Sequence, residues 1–166
     1  MAFTKTILNM KKLFLITSLL LSSIVLTAQE KGDWYIDFDK AARVSMETGK
    51  PILADFTGSD WCGWCIRLKK EVFNTPTFKE WAKKNVVLLE LDFPRRVPQT
   101  DKIKKQNKEL QQFFGVRGYP TIHIFNVSIQ NEKIQIESLG KSGYIAGGPK
   151  PWIANAEKIL ANKKNN

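Results

Sequence analysis

The only two cysteines of this 166-residue chain stand three positions apart, at Cys62 and Cys65 in the run GSDWCGWC. An apolar run typical of a buried strand, Ile52–Phe56, precedes them, and the apolar residues Leu68 and Val72 follow at helical spacing. These patterns predict a strand, a tight turn and a helix that begins at or near Cys62. On the first turn of a helix the two side chains lie on nearly the same side, close enough to form a disulfide.

The place of each thiol in this helix predicts its chemical role. Cys62, at the exposed N-terminus, meets unpaired backbone N–H groups and the positive end of the helix dipole, which favour the thiolate form of a cysteine. Cys65 lies one turn inside the helix, so we expect it to be shielded and less acidic. Cys62 is therefore the candidate nucleophile in disulfide exchange, and Cys65 is the candidate resolving thiol.

Other chemistries that use two cysteines at this spacing find few partners in the sequence. A structural zinc site needs four ligands, whereas the chain adds only one histidine, His123, which we interpret as a satisfied sheet residue. Covalent haem attachment needs a histidine directly after the second cysteine, where Ile66 stands. Two alternatives stay open: a copper-carrying pair, although no Met or His stands close to it, and an inert structural disulfide. So short a disulfide loop would add little stability. The leading expectation is that the protein holds no metal and no organic cofactor.

The first 28 residues have the layout of a secretory signal peptide. Three lysines precede the apolar run Leu13–Ala28, and no acidic residue stands before Glu30. Cleavage near Ala28 would place the remaining chain in the periplasm or outside the cell, and an uncleaved segment would anchor it to the membrane. Cleavage removes three of the 26 basic and none of the 16 acidic residues, which leaves a net charge of +7. Export argues against a nucleic-acid partner for this basic domain.

Residues 29–166 predict a single domain whose elements follow the order α, β, α, α, β, α, β, β, α, with a C-terminal tail that frays. Helix crossovers join the first strands and a hairpin comes near the end, so the order implies a mixed sheet between helices. Thr77 and Glu80 are spaced as a capping box, and Pro151 is typical of the start of the last helix. The predicted strands are Ile52–Phe56, Val86–Phe93, Thr121–Val127 and Lys133–Leu139.

Two motifs resemble the thioredoxin superfamily, and in particular its exported bacterial members. The first is WCGWC, after a buried strand and at the start of a helix, and the second is GVRGYPT, residues 115–121, ahead of a strand hairpin. The similarity covers about residues 35–162. It implies an α/β chain with the thioredoxin fold, a central mixed β-sheet flanked by helices on both faces.

The resemblance also implies a substrate groove beside the cysteines. The Tyr119–Pro120 peptide bond is expected to be cis, and the backbone of Gly118 and Tyr119 is expected to receive an extended protein substrate. A cis bond is costly except before proline, which fits this position independently. Trp61 matches the family's aromatic residue before the first cysteine and would supply apolar contact surface. Trp64, between the cysteines, is assigned to the same groove.

Asp55 resembles the family's buried acid, which assists proton transfer at the second cysteine. Seven positions separate it from Cys62, one more than in the common thioredoxin pattern, so the turn TGSD could bulge and displace the carboxylate. Asp60 could instead sit beside Cys62 and oppose the thiolate. Asp92, near the carboxyl end of its strand, is interpreted as a cap of the following loop.

The sequence therefore predicts an exported thiol–disulfide oxidoreductase that acts on protein thiols and disulfides as a monomer. Gly63–Trp64 matches neither the usual reducing nor the usual oxidising dipeptide of the resembled family, and the uncharged Trp64 favours a reducing or isomerising role. A reductase outside the cytosol needs an electron donor, and a membrane redox partner would supply one. The competing hypothesis is a thioredoxin-fold binding module whose disulfide is only structural.

Overall fold

The computed structural model describes residues 34–162, so the predicted signal segment and the end of the tail lie outside the described residues. The described part alternates strands and helices. The strands are β1 Trp34–Tyr35, β2 Ile52–Thr57, β3 Val87–Asp92, β4 Thr121–Gln130 and β5 Lys133–Ser142. The helices are α1 Phe38–Thr48, α2 Gly63–Leu68, α3 Pro76–Asn85, α4 Asp101–Phe113 and α5 Pro149–Leu160, and a π-helical turn, Lys69–Phe73, continues α2.

The strands form one mixed sheet in the order β1-β3-β2-β4-β5. β1, β3 and β2 run parallel, while β4 is antiparallel to β2 and β5 is antiparallel to β4. The predicted mixed sheet and terminal hairpin are confirmed. β1 was not predicted, because a strand of two residues carries no readable alternation.

Each face of the sheet has its own apolar core, as the predicted fold requires. On one face α2, the π-helical turn, α3 and α5 pack over the sheet, with Phe78 and Trp152 among the fully buried side chains. On the other face α1 and α4 cover the sheet, with Phe56 and Phe125 at the centre. All six residues of β2 are buried, because this strand lies in the middle of the sheet under both layers.

Two local predictions about helix starts were wrong. Thr75, not Thr77, caps α3, and its hydroxyl accepts the N–H of Phe78, so Pro76 occupies the first helical position. α5 begins at Pro149, ahead of Pro151. In both helices a proline at the first position fits, because its missing N–H would have no partner there.

The register of β2 brings the two sequence motifs to one end of the sheet. β2 ends at Thr57 and leads into the turn before the cysteines, while Phe56 pairs with Thr121, the first residue of β4. The turn that ends at Pro120 therefore lies beside the turn that leads to Cys62. β3 ends at the same edge, since Thr57 pairs with Asp92.

Candidate redox site

The turn before the cysteines is held by both neighbouring backbone and the end of β3. The N–H groups of Trp61 and Cys62 donate to the carbonyl of Gly58 at 3.2 and 2.8 Å. Ser59 donates its N–H and its hydroxyl to the two carboxylate oxygens of Asp92, at 2.8 and 2.6 Å. The sequence-based interpretation of Asp92 as a cap of the following loop is therefore wrong. Its side chain instead connects the end of β3 to the turn that follows β2.

The carboxylate of Asp60 is directed to the loop after β3, and not toward Cys62 as the sequence allowed. Its carboxylate accepts the backbone N–H groups of Arg95 and Arg96, at 3.0 and 2.7 Å, in the loop after β3. The hydrogen bond from the Arg95 backbone leads the causes that lower the pKa of Asp60. Asp60 therefore stabilises the loop after β3 through these hydrogen bonds.

Cys62 and Cys65 form a disulfide, with their Cα atoms 5.3 Å apart. Cys62 is the N-cap of α2, and its Sγ accepts the backbone N–H of Cys65 at 3.3 Å. The predicted start of the helix is confirmed, but the predicted contrast in exposure is wrong: Cys62 is 7% exposed and Cys65 4%. An N-cap side chain folds back over the first turn to meet its N–H groups, which takes the sulfur out of solvent.

Trp61 forms one wall beside the disulfide. Its Nε1 donates to the carbonyl of Phe93 at 2.8 Å, and the guanidinium of Arg95 lies over its ring at 3.9 Å from the centroid. The ring also meets that of Tyr119 edge-on, with centroids 5.9 Å apart. Gly58 permits this packing, because a Cβ there would lie 2.5 Å from the indole. Trp61 is therefore locked against the turn that contains Pro120.

The Tyr119–Pro120 peptide bond is cis, as the resemblance implied. The ring of Tyr119 stacks on Phe93 at 5.2 Å, and its hydroxyl accepts a hydrogen bond from Gln111 on α4 at 2.6 Å. Gly118 is exposed and Pro120 is half-buried. The structure thus brings the cis-proline turn and the residue before Cys62 together, whereas their roles toward a substrate stay predictions.

Trp64 forms a more open surface on the other side of the pair. Its side chain is 55% exposed, and its ring lies 5.1 Å from that of Tyr144, in the loop between β5 and α5. The guanidinium of Arg67 lies over both rings, at 5.6 and 5.4 Å. Glu71 accepts hydrogen bonds from Arg67 and from the Tyr144 hydroxyl. Tyr144 was not expected here, because 80 residues of chain separate it from the motif.

Asp55 lies in the interior, on the face of the sheet that α2 covers, since Leu53 two residues earlier packs into that core. Its Oδ1 has no hydrogen-bond partner among the described residues. Burial, reinforced by the Glu90 carboxylate, raises the pKa of Asp55 to about 8, although the charge of Lys69 opposes the rise. β2 pairs regularly through Phe56 on both sides, so no bulge displaces Asp55.

Lys69 and Glu90 connect Asp55 with the second cysteine. Glu90 is the register partner of Asp55 on β3, and its carboxylate accepts the Lys69 ammonium at 2.8 Å. Lys69 begins the π-helical turn one turn after Cys65, and both residues line a cavity of about 220 Å³. We call Asp55, Lys69 and Glu90 the Asp55 cluster. No local pattern in the sequence indicated Lys69 or Glu90, because their pairing joins a helix to a strand 21 positions away.

His123 is not the satisfied sheet residue that the sequence suggested. It is buried on β4 between the rings of Phe114 and Phe56, and its Nδ1 has no hydrogen-bond partner among the described residues. Burial, with a smaller effect of Lys141, lowers the pKa of His123 to about 4. Its neighbours belong to the α1 and α4 face, opposite the Asp55 cluster.

In the part of the chain that the structure describes, no group of three or more His, Cys, Asp or Glu side chains could hold a metal ion. The expected lack of a cofactor stays a prediction. Across residues 34–162, no helix has the length and apolar character needed to cross a membrane.

The sheet, the disulfide at the start of α2 and the cis-proline turn define the class of protein. The chain belongs to the thioredoxin-like family, whose model matches residues 33–126, more than half of the chain.

By sequence, the chain is 31% identical over 123 residues to the disulfide bond reductase DsbH of Chlamydia pneumoniae, covering 74% of this chain and 70% of that protein. It is 30% identical over 146 residues to the thioredoxin-related protein DsbJ of the same organism, covering 84% of this chain but only 41% of DsbJ. The first of these relatives is named a disulfide bond reductase, and the predicted enzyme class, a thiol–disulfide oxidoreductase, is confirmed.

Solved structures agree with the family. The chain superimposes on the DsbH oxidoreductase with a TM-score of 0.68 and 26% identity, over 82% of this chain and 89% of that one. A thioredoxin from Thermus thermophilus shares the fold at 13% identity, with a TM-score of 0.54 over 78% of this chain and 88% of that one. The predicted thioredoxin fold is confirmed.

Proposed function

We propose that this protein is an exported thiol–disulfide oxidoreductase that reduces disulfides in protein substrates. The observation that carries the proposal is that Cys62 caps α2 and its Sγ accepts the N–H of Cys65. The same backbone N–H group, at the positive end of the helix dipole, would stabilise a Cys62 thiolate once the disulfide is reduced. The reducing direction is supported by similarity to a protein named disulfide bond reductase.

The reaction balances without any cofactor. The Cys62 thiolate attacks one sulfur of the substrate disulfide, whose S–S bond breaks and whose leaving thiolate takes up a proton. The Cys65 thiol then loses its proton and attacks Sγ of Cys62, which releases the second substrate thiolate and forms the Cys62–Cys65 disulfide. The substrate gains two electrons and the protein loses two.

Asp55 is the group that we assign to the proton of Cys65. It is buried beneath the helix that carries Cys65, and its raised pKa lets it exchange a proton near neutral pH. Lys69 lines a cavity with Cys65, and its charge also acts on Asp55. Asp55 and Cys65 therefore both lie in the electrostatic environment of the Lys69 ammonium.

The groove for the substrate lies between the wall of Trp61 and the surface of Trp64. Trp61 contacts Tyr119, and a Cβ at Gly143, next to Tyr144, would lie 3.6 Å from the carbonyl of Pro120. The backbone of Gly118 and Tyr119 would pair with an extended substrate segment between these walls. Each cycle leaves the protein oxidised, so a donor outside this chain, such as a membrane redox partner, restores the thiols of the monomer.

The proposal is tested by the redox equilibrium of the pair. The protein is equilibrated in glutathione buffers and then in dithiothreitol, and its thiols are trapped and counted. A reversible midpoint below the glutathione range but reached with dithiothreitol supports a reductase, and a midpoint inside that range would support an oxidising or isomerising catalyst instead. A pair that resists reduction until the domain unfolds would make the disulfide structural and the protein a binding module.

Single-cysteine variants test the roles of the two thiols. Cys65→Ser is expected to accumulate a mixed disulfide with a protein substrate through Cys62, whereas Cys62→Ser is expected to form none and to lose exchange activity. Ile66→Ser, next to the pair on the exposed side of α2, is the matched control and should exchange disulfides normally. Full activity of Cys62→Ser would overturn the assignment.

A further inference from the structure

A cavity of about 350 Å³ lies beside the wall of Trp61, between the loop after β3 and helix α4. Its apolar side comes from the loop, with Phe93, Pro94 and the 58% exposed Val97. Its other side comes from α4. The volume falls within the range of pockets that take a ligand or a large side chain. We call it the α4 cavity.

The α4 cavity shares its walls with the proposed substrate groove. Phe93 lines the cavity, stacks on Tyr119 and accepts the indole N–H of Trp61. Gln111 also lines it and donates to the hydroxyl of Tyr119. A segment that lies against Trp61 and Tyr119 therefore reaches the cavity as it continues past Phe93.

The polar atoms at the base of the cavity are already engaged. Asn107 is 1% exposed, and its Nδ2 donates to the carbonyl of Asp92 at 2.9 Å while its Oδ1 accepts a bond from Gln106. Gln99 donates to the same carbonyl at 3.2 Å. With these groups satisfied, an apolar occupant leaves no buried polar atom of the base unpaired, so the cavity suits an apolar side chain.

The rim of the cavity is positively charged. Lys104 and Lys108 line the cavity from α4, and the exposed Arg96 stands on the loop between the lining residues Pro94 and Val97. Two acids stand nearby, but Asp60 is held by two backbone N–H groups of the loop, and Asp101 lies 3.7 Å from Lys104. Within residues 34–162, neither Arg96 nor Lys108 has an ion-pair partner. Carboxylates of an incoming segment would complement this rim.

We propose that the α4 cavity is a docking subsite for the protein substrate, and that it takes an apolar side chain flanked by acidic residues. The proposal rests on the proposed function, because the substrate is the segment that delivers a cysteine to Cys62. A polyanion such as a nucleic acid would pair with the rim but leave the apolar side of the cavity unused. An acidic protein segment uses both features.

The test compares two synthetic peptide disulfides that differ only in charge. Each peptide carries a cysteine and, beyond a glycine spacer, either Glu-Leu-Glu or Lys-Leu-Lys, and the neutral hydroxyethyl disulfide serves as a small substrate. At low ionic strength the reduced protein should reduce the acidic peptide about tenfold faster than the basic one, and salt should shrink the difference.

Variants locate the selectivity. Lys108→Glu should lower the rate with the acidic peptide about threefold and raise the rate with the basic one, while Val97→Ser should lower both about twofold. Neither should change the rate with hydroxyethyl disulfide. The matched control is Lys158→Glu, an equal charge reversal at an exposed position of α5 on the opposite face, which should leave the ratio of the two peptides unchanged.

A binding measurement separates failure of this inference from failure of the proposed function. Acidic and basic peptides with serine in place of cysteine are titrated into the oxidised protein, which performs no chemistry. Weaker binding of the acidic peptide to Lys108→Glu and to Val97→Ser supports the subsite even if hydroxyethyl disulfide is not reduced. Equal binding of both peptides, or loss with Lys108→Glu alone and none with Val97→Ser, would overturn the docking subsite.

Discussion

Two regions beside the disulfide, the turn before Cys62 and the Asp55 cluster, differ in whether their polar groups have hydrogen-bond partners. In the turn Gly58–Trp61, the carboxylate of Asp60, the hydroxyl of Ser59 and the indole N–H of Trp61 all have partners. In the Asp55 cluster, Oδ1 of a buried carboxyl has none among the described residues. The first arrangement fixes geometry, whereas the second keeps a proton available. The site therefore divides positioning and proton chemistry between two regions.

The largest expected effect comes from removing the titratable carboxyl of Asp55. The pKa of Asp55 is raised to about 8 from 3.8, so the folded state holds this proton where the unfolded state has lost it. The contribution of Asp55 to the free energy of unfolding is greatest below a pH of about 4, and it declines until the pH passes about 8. Asp55→Asn should therefore be more stable than the original protein by about 3–5 kcal/mol at pH of about 9, and nearly equal to it at pH of about 4.

Urea unfolding at these two pH values measures the effect, and Asp101→Asn, exposed at the start of α4, is the control. An equal gain at both pH values would mean that Asp55 is not protonated by burial. The same variant should slow release of the mixed disulfide at Cys62, because Cys65 loses its proton acceptor.

The next largest effect is expected when the turn before the cysteines loses the side chain of Trp61. Trp61→Ala removes a hydrogen bond to the carbonyl of Phe93, the edge contact with Tyr119 and the cation–π contact with Arg95. We expect the free energy of unfolding to fall by about 2–3 kcal/mol, less than for a fully buried tryptophan. Urea unfolding checks this value, and a loss below about 1 kcal/mol would show that the turn does not depend on Trp61.

Two variants test the electrostatics of the Asp55 cluster, because they should shift the pKa of Asp55 in opposite directions. The carboxylate of Glu90 raises the pKa of Asp55 and the ammonium of Lys69 lowers it. Glu90→Gln should therefore lower the pKa of Asp55, and Lys69→Met should raise it. The pH profile of disulfide exchange should move in these two directions, and NMR titration of the Asp55 carboxyl gives the values directly. Shifts of the same sign would contradict the cluster.

The smallest expected effect is that of Trp64→Ala on stability. Trp64 is 55% exposed and touches Tyr144 and Arg67 at the surface, so we expect a change within about 1 kcal/mol. Because its ring faces the proposed groove, the KM for a peptide disulfide should rise more than kcat falls. Parallel unfolding of Trp64→Ala and Trp61→Ala shows whether the two tryptophans differ as their surroundings indicate.

Much of the fold could be predicted from local sequence signals. The run ILADF, the cysteine spacing and the apolar periodicity after Cys65 predicted a strand, a turn and a helix, and the alternating runs at 121–127 and 133–139 predicted the hairpin. These signals work because backbone periodicity is set within a few residues. Strand β1 and the π-helical turn after Leu68 were missed, since neither is long enough to leave a periodic pattern.

The candidate site was predictable only in part. The sequence alone determined where the two thiols stand, that a helix begins at them and that proline follows Tyr119, because each of these depends on neighbours along the chain. Tertiary structure decided that Asp92 holds the turn before the cysteines, that Asp60 holds the loop after β3, and that Lys69 and Glu90 flank Asp55. Those outcomes depend on which strands and helices become neighbours in space, and on the loss of solvent there, neither of which local periodicity records.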